Sequence, residues 1–340
     1  MSRRFIRYKK SDGFVLGPNF KKRSFVGTVN QIHEGIFARI RGVLSEDILT
    51  KRVLVVGVGS VGSYISEQLV RSGVGSLIVV DPDIVEYANL SRTVYTVHDV
   101  GQAKVDRLKE HLLTINPVIV VESFEKDIQA FGAEELATIF LPCDVIVAAT
   151  DDPQAQRTIN RFAYGLGKPA VFVGLYEGAE GGEVVVSIPG KTPCYQCATS
   201  IRHELEQSTG KVGAKTDYGT GRLEGVVALS ADIHHVASAA MKIILSLLVP
   251  EDSDLKLKGF LTSAIKKEFN YLTFSMKDQY WFYPHIFQGV PGQYAYQSVW
   301  LSSVRNEDCV ICGKEESEFT SVTMDPVKTP TLANIRKAMS

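Results

Sequence analysis

Residues 51–81, KRVLVVGVGSVGSYISEQLVRSGVGSLIVVD, constrain the fold more tightly than any other stretch of the chain. The apolar VLVV reads as a buried strand, GVGSVG as a tight turn, the following amphipathic segment as a helix, and SLIVVD as a second strand. This is a βαβ unit. The alternation continues through helix AKVDRLKEHLLTIN, strand VIVVESF, helix AEELATIF, strand DVIVAATDD, helix PQAQRTINRFAYGLG and strand PAVFVG. Strands alternating with helices predict a Rossmann-like, doubly wound α/β fold whose mostly parallel sheet is covered on both faces. Gly57, Gly59 and Gly62 fit GxGxxG directly after a strand and before a helix. The first glycine permits the tight turn, the second lets a phosphate approach the backbone, and the third permits close helix packing. The exposed amides and the helix dipole favour an anion. Asp81 ends the next strand, where its carboxylate can accept hydrogen bonds from ribose hydroxyls. A nucleotide site follows, with dinucleotide and mononucleotide alike at this point; a glycine turn serving only helix packing is the alternative.

After Gly174 the pattern changes to EGGEVVVSIPG, a CxxC, a polar glycine-containing stretch and a helix expected over about 226–248. Residues 268–304 are rich in aromatics and read as short antiparallel strands, followed by a second CxxC. A helical stretch through Ile36, Ile40 and Leu44 precedes the glycine strand. The expected organisation is a basic N-terminal arm over 1–35, a nucleotide-binding domain over 36–250, antiparallel strands with the second CxxC over 251–315, and a tail over 316–340. Cys194, Cys197, Cys309 and Cys312 form two CxxC pairs, the ligand set of a closed tetrahedral Zn²⁺ site that ties the C-terminal part back to the nucleotide domain. Redox chemistry is the lesser reading. Cys143 reads as a small packing residue, and His234 with His235 as core or surface histidines rather than ligands.

Lys plus Arg (37) nearly balance Asp plus Glu (38), so no overall field draws the chain to nucleic acid or anionic lipid. With no apolar run reaching about 18–20 residues and no secretory pattern at the N-terminus, no membrane role and a cytoplasmic location are expected.

The residues after Asp81 discriminate between nucleotides. DPDIVEYANLSRTVYTVHDVGQAKV places Asn89, Arg92 and Lys104 beyond the nucleotide strand, polar groups that suit a triphosphate better than nicotinamide. GVGSVG, Asp81, NLSRT, GQAK and ATDD follow one another in an order and spacing that resemble the ThiF/MoeB and ubiquitin-activating superfamily of adenylyltransferases over roughly residues 36–250. The resemblance implies ATP with Mg²⁺. By it, Asp81 holds the ribose, Asn89, Arg92 and Lys104 contact phosphates, and Asp151 binds Mg²⁺ and orients the carboxylate. It also implies a homodimer in which Arg39, or secondarily Arg41, reaches the ATP of the partner subunit. Asp152 is expected to cap the next helix. Thr93 stands where the family usually has Gln. The family's second CxxC follows the first sooner, so residues 268–304 read as an insertion. Bland readings exist for several of these: loop capping by Asn89 or Arg92, a solvated Lys104, a surface Arg39.

The implied function is ATP-dependent adenylation of the C-terminal carboxylate of a ubiquitin-like or sulfur-carrier protein, with release of pyrophosphate and onward passage to a downstream conjugating protein or to sulfur transfer. The alternative within the same chemistry is adenylation of a short peptide in antibiotic biosynthesis, with the basic arm as a clamp. Many ubiquitin-activating relatives carry a cysteine between the first CxxC and the following helix; here that loop has none and carries hydroxyls instead, among them Ser208, Thr209, Thr216 and Thr220. Thr220 falls nearest the family's cysteine and would carry an oxyester. A hydroxyl needs an activating base, so a chain that stops at the acyl-adenylate is the favoured reading. A nicotinamide-dependent dehydrogenase and a silent scaffold are the competing classes, and Asn89, Arg92, Lys104 and Asp151 together argue against both.

Overall fold

The computed structural model describes residues 8–9, 13–14, 34–40, 42–200, 202–204, 228–251, 253, 255–277, 280–286 and 295–313. Strand β1 (Arg52–Val56) leads through helix α1 (Ser60–Arg71) to β2 (Ser76–Val80), then through α2 (Lys104–Ile115) to β3 (Val120–Phe124). Helix α3 (Ala133–Phe140), β4 (Val145–Ala148), α4 (Pro153–Gly165) and β5 (Ala170–Leu175) complete the alternation. These five strands are parallel in the order β3-β2-β1-β4-β5. The order reverses between β1 and β4, which opens a crevice at the carboxyl ends of those two strands, the usual ligand position of such sheets.

Beyond β5 the sheet continues without a break. Strand β6 (Gly181–Ser187) runs antiparallel to β5; the short helix α5 (Tyr195–Ala198), α6 (Ser230–Leu248) and α7 (Lys256–Ile265) precede β7 (Phe269–Ser275); a single turn of helix, α8 (Tyr283–Ile286), precedes β8 (Gln297–Ser302). The antiparallel strands thus extend the parallel sheet to eight strands among the described residues. The aromatic stretch forms two strands, and its buried Tyr283 ties them by donating to the carbonyls of Thr273 at 3.0 Å and Gln297 at 3.1 Å.

Side chains alternate between two apolar layers. Val53, Val55, Leu77, Val79, Val145 and Val147 meet α1, α2 and α6, while Leu54, Val56, Ile78, Ile146 and Ala148 meet α3 and α4. Covering both faces explains why the parallel strands read as continuous Val/Ile runs. By length and composition helix α6 is long and apolar enough to cross a membrane, contrary to the expectation that no apolar run reaches that length. Its Ile233, Val236, Ala237, Ala240 and Ile244 are buried against the sheet, the place of a core helix. Among the described residues, the helix expected through Ile36, Ile40 and Leu44 covers 34–36 and gives way to turns from Phe37 on. Gly42, at φ +84°, takes a left-handed conformation that ends any continuation.

Candidate active site and zinc knuckle

The three glycines of the β1–α1 turn have different physical reasons. Gly57 has φ +85°, and a Cβ there would lie 2.7 Å from the Ala149 carbonyl oxygen; a Cβ on Gly62 would lie 1.8 Å from the Gly57 oxygen. Gly59 faces open space instead, at the N-terminus of α1, whose first turn has no side-chain cap. The loop is held from below. The Val58 amide donates to Asp81 Oδ2 at 2.7 Å, and the Tyr95 hydroxyl donates to the Val58 carbonyl at 2.7 Å. Burial raises the pKa of the Asp81 carboxyl, while Lys104 and the amides of Val58 and Asp83 pull it down. Lys104, itself buried, donates to Asp83 Oδ2 at 2.7 Å. Burial, with the nearby carboxylates, pushes the Tyr95 hydroxyl well up, so it remains a donor. Each carboxylate oxygen of Asp81 accepts one backbone amide and retains capacity for a second donor such as a ribose hydroxyl.

The NLSRT segment is a self-closed turn. Asn89 Oδ1 accepts the Glu86 amide at 2.8 Å, Thr93 donates to the Asn89 carbonyl at 2.8 Å, and Arg92 is half-buried just after the 3₁₀ turn Tyr87–Asn89. Loop capping by Asn89 is therefore present, and Thr93 serves the turn itself. Asp151 is exposed at the end of β4, beside the glycine loop, which the adjoining Ala149 touches. Asp152 caps α4, accepting the amides of Gln154 at 3.0 Å and Ala155 at 3.1 Å, with Pro153 at the first helical position. The switch point thus gathers the glycine loop, Asp81, Lys104 and the ATDD strand end. The side at Gly59 is open, and a side chain there would fill it.

The four paired cysteines meet although the pairs are 115 residues apart. Their sulfurs all lie within 4.8 Å of one another, with Cys194–Cys309 at 3.7 Å and Cys197–Cys312 at 3.6 Å. A tetrahedron of Zn–S bonds of about 2.3 Å has an edge of about 3.8 Å, whereas a disulfide would need about 2.05 Å. All four are buried. The donor set therefore fits a closed zinc site with no position for water or substrate. Gly313 closes the second knuckle, donating to the Cys309 carbonyl at 2.8 Å where a Cβ would strike the Asn306 oxygen at 2.4 Å.

The sequence pattern of the ThiF family matches residues 33–280, most of the chain. The chain belongs to the ThiF family. Among its relatives is ubiquitin-like modifier-activating enzyme 5 of Rattus norvegicus, 33% identical over 204 residues, which are 56% of this chain and 47% of the rat protein. The Arabidopsis thaliana protein of the same name is 31% identical over 191 residues, 52% of this chain and 42% of its own length. This ThiF-family chain spans about half the length of these curated relatives. In fold it is similar to the crystal structure of E. coli MccB with ATP, at TM-score 0.56 and 19% identity over 80% of this chain and 69% of MccB. It is also similar to PaaA, at TM-score 0.53 and 20% identity over 81% and 82%.

Not every residue singled out in this ThiF-family chain lies at the crevice. Arg39 is exposed on the segment whose Phe37 ring packs by Gly73, just past the C-terminal end of α1. Helix α1 has 12 residues, so about 18 Å separate that end from the glycine loop. Arg41, Ser208, Thr209, Thr216 and Thr220 lie outside the described residues. Cys143 is buried, its thiol pushed up to about 12 by burial. His234 stacks on Tyr64 at 4.0 Å and His235 meets Phe274 edge-on, as packing groups do.

The sequence reading missed two features. Tyr95 braces the glycine loop, and its only signal is an aromatic in a polar loop. Glu183 on β6 accepts hydrogen bonds from the half-buried Tyr176 and the buried Tyr271 and pairs with the buried Arg202 at 3.1 Å. Its signal is one carboxylate in the otherwise apolar GGEVVVS.

Proposed function

We propose that this chain is an ATP-dependent adenylyltransferase acting on the C-terminal carboxylate of a ubiquitin-like or sulfur-carrier protein. The observation that carries the reading is the convergence of the glycine loop, Asp81, Lys104 and the Asp151 strand end on the β1/β4 crevice. In the reaction the substrate carboxylate oxygen attacks the α-phosphorus of ATP, the bond from that phosphorus to the bridging oxygen breaks, and pyrophosphate leaves with the electron pair. The carboxylate is already ionised near pH 7, so no general base is required; the barrier lies in bringing one anion to another. Amides around Gly59 and the cations of Lys104 and Arg92 supply positive potential, Asn89 adds polar contacts, and Asp81 fixes the ribose. Mg²⁺, when bound, neutralises phosphate charge, and Asp151 is the residue to hold it. Four thiolates leave zinc a structural part.

Arg39 lies on the segment whose Phe37 packs at the end of α1 far from the glycine loop, and we take it to serve the partner subunit's site in a homodimer. The adenylation unit is taken as residues 36–250, followed by the 251–315 segment that the zinc ties back. We take the acyl-adenylate as the last covalent state, because the loop over 198–225 has no cysteine; an oxyester at Thr220 is the alternative. The likeness to relatives named as activators of a ubiquitin-like modifier supports a protein tail over a short peptide, and cytoplasmic work on such a carrier suits the chain.

ATP–pyrophosphate exchange tests the reading. Exchange that depends on a small protein ending in glycine is expected; exchange with short peptides alone would move the substrate to the second class. Tight NAD⁺ binding without ATP binding would refute adenylation.

A further inference from the structure

Asp151 is the residue on which the proposed chemistry depends, and its backbone is held on both flanks. On the far side, the Asp152 side chain caps α4 and receives Gln129 Nε2 at 2.7 Å. On the near side, Gln156 Nε2 donates to the Thr150 carbonyl at 2.9 Å. The same Gln156 side chain accepts, through Oε1, the hydroxyl of Tyr195 at 3.1 Å. Tyr195 lies between Cys194 and Cys197, inside the first knuckle. Its ring stacks on Phe172 of β5 at 4.1 Å, and its amide donates to Asn160 Oδ1 at 3.0 Å, one helical turn beyond Gln156. The knuckle is therefore docked on α4 by two hydrogen bonds four residues apart, and one of them continues to the Thr150 carbonyl.

We propose that Gln156 is a positioning residue that couples the order of the four-cysteine knuckle to the placement of Asp151. An amide side chain suits this place because it donates with one end and accepts with the other. Were Gln156 lost, the Thr150 carbonyl would keep its fold but lose the contact that fixes its peptide plane. The carboxylate one residue on would then sample a wider range, and misplacement of about 1 Å at a reacting centre costs up to about 10²-fold in rate. The inference rests on the reading of Asp151 given above only for its kinetic consequence; the coupling itself is geometric.

Two variants separate the alternatives. Tyr195→Phe removes one oxygen and keeps the ring on Phe172, and Gln156→Leu removes both hydrogen bonds at similar volume. Each purified full chain is expected to hold its metal as wild type does. The Asp152 amide, which donates to Thr150 Oγ1 at 3.2 Å, should exchange with solvent roughly tenfold faster in native-state hydrogen exchange, while amides of β5 stay unchanged. In pyrophosphate exchange kcat should fall roughly tenfold with the KM for ATP unchanged, and raised Mg²⁺ should restore part of it. Asp152 exchange unaltered in Tyr195→Phe and Gln156→Leu alike would overturn the coupling. Faster Asp152 exchange in a chain whose wild type shows no pyrophosphate exchange would uphold the coupling and refute adenylation. If Gln156→Leu loses metal, Tyr195→Phe alone decides.

Discussion

Replacing Glu183 with alanine removes the common acceptor of three donors. The Glu183 and Arg202 side chains are 4% and 9% exposed, and the pair sits between Tyr176 and Tyr271. Arg202 stays charged: burial, the largest single influence, lowers its pKa, but Glu183 together with the surrounding tyrosines raises it well above its ordinary value. Without Glu183 it loses the carboxylate that it meets at 3.1 Å inside the protein. Breaking a buried pair from one side costs about 3–5 kcal/mol. The tyrosine hydroxyls lie 3.4 Å apart and can turn to each other, so their loss adds less than the usual 1–3 kcal/mol per unsatisfied group. A net loss of about 4 kcal/mol is a large share of the roughly 5–15 kcal/mol that holds a typical protein folded. At about 2 °C per kcal/mol for a chain of this size, the melting midpoint should drop by about 8 °C. Thermal and urea unfolding followed by circular dichroism would measure this. The control is Glu183→Leu with Arg202→Met: removing both charges in favour of apolar bulk should recover most of the loss. A Glu183→Ala protein within about 1 kcal/mol of wild type, or a double variant no more stable than the single, would refute the argument.

Asp151→Ala should abolish most pyrophosphate exchange with little change in melting, Lys104→Ala should do so while also lowering stability because Lys104 is buried beside Asp81 and Asp83, and Asp152→Ala should cost about 1 kcal/mol of stability through its lost cap and retain chemistry; a dead Asp152→Ala beside an active Asp151→Ala would invert the assignment. Mixing inactive Arg39→Ala and inactive Asp151→Ala chains should restore part of the exchange, and full activity in a strictly monomeric fraction would exclude a shared site. Metal analysis under reducing conditions should return about one zinc per chain, and Cys309→Ser should lower stability before it alters chemistry; a metal-free, fully stable chain would contradict this. The folded pKa of Asp81 lies above the ordinary carboxylate value of 3.8, raised by burial, so its contribution to stability is fully present below about that pH and is lost as pH rises through the folded pKa. Subtracting the stability of Asp81→Asn from that of wild type across the acid range should give a difference that declines with rising pH; a difference that grows with pH would reverse the sign.

What could be read from the sequence is what local physics dictates. The βαβ alternation needs only hydrophobic period and glycine turns, and Gly57 and Gly62 are demanded by a positive φ and by close backbone approach within one motif. The four cysteines were legible across 115 residues because paired thiols carry their chemistry with them. A helix through Arg39 was misread because Gly42 counted for less in the pattern than the spacing of Ile36, Ile40 and Leu44. The antiparallel strands were anticipated, but their joining the parallel sheet was not, since edge-to-edge pairing depends on partners far away in sequence. Other misses share that cause. Tyr95 reaches Val58 over 37 residues, Tyr195 reaches Gln156 over 39, and Arg202 reaches Glu183 over 19, with no repeating pattern to announce any of them. The groups proposed to recognise the nucleotide stand in short motifs, and the groups that hold those motifs still are scattered single residues. Substitution at Tyr95, Gln156 or Glu183 would therefore leave every family motif intact while loosening the frame on which the motifs act, so motif content alone is a poor guide to which members of this fold are competent.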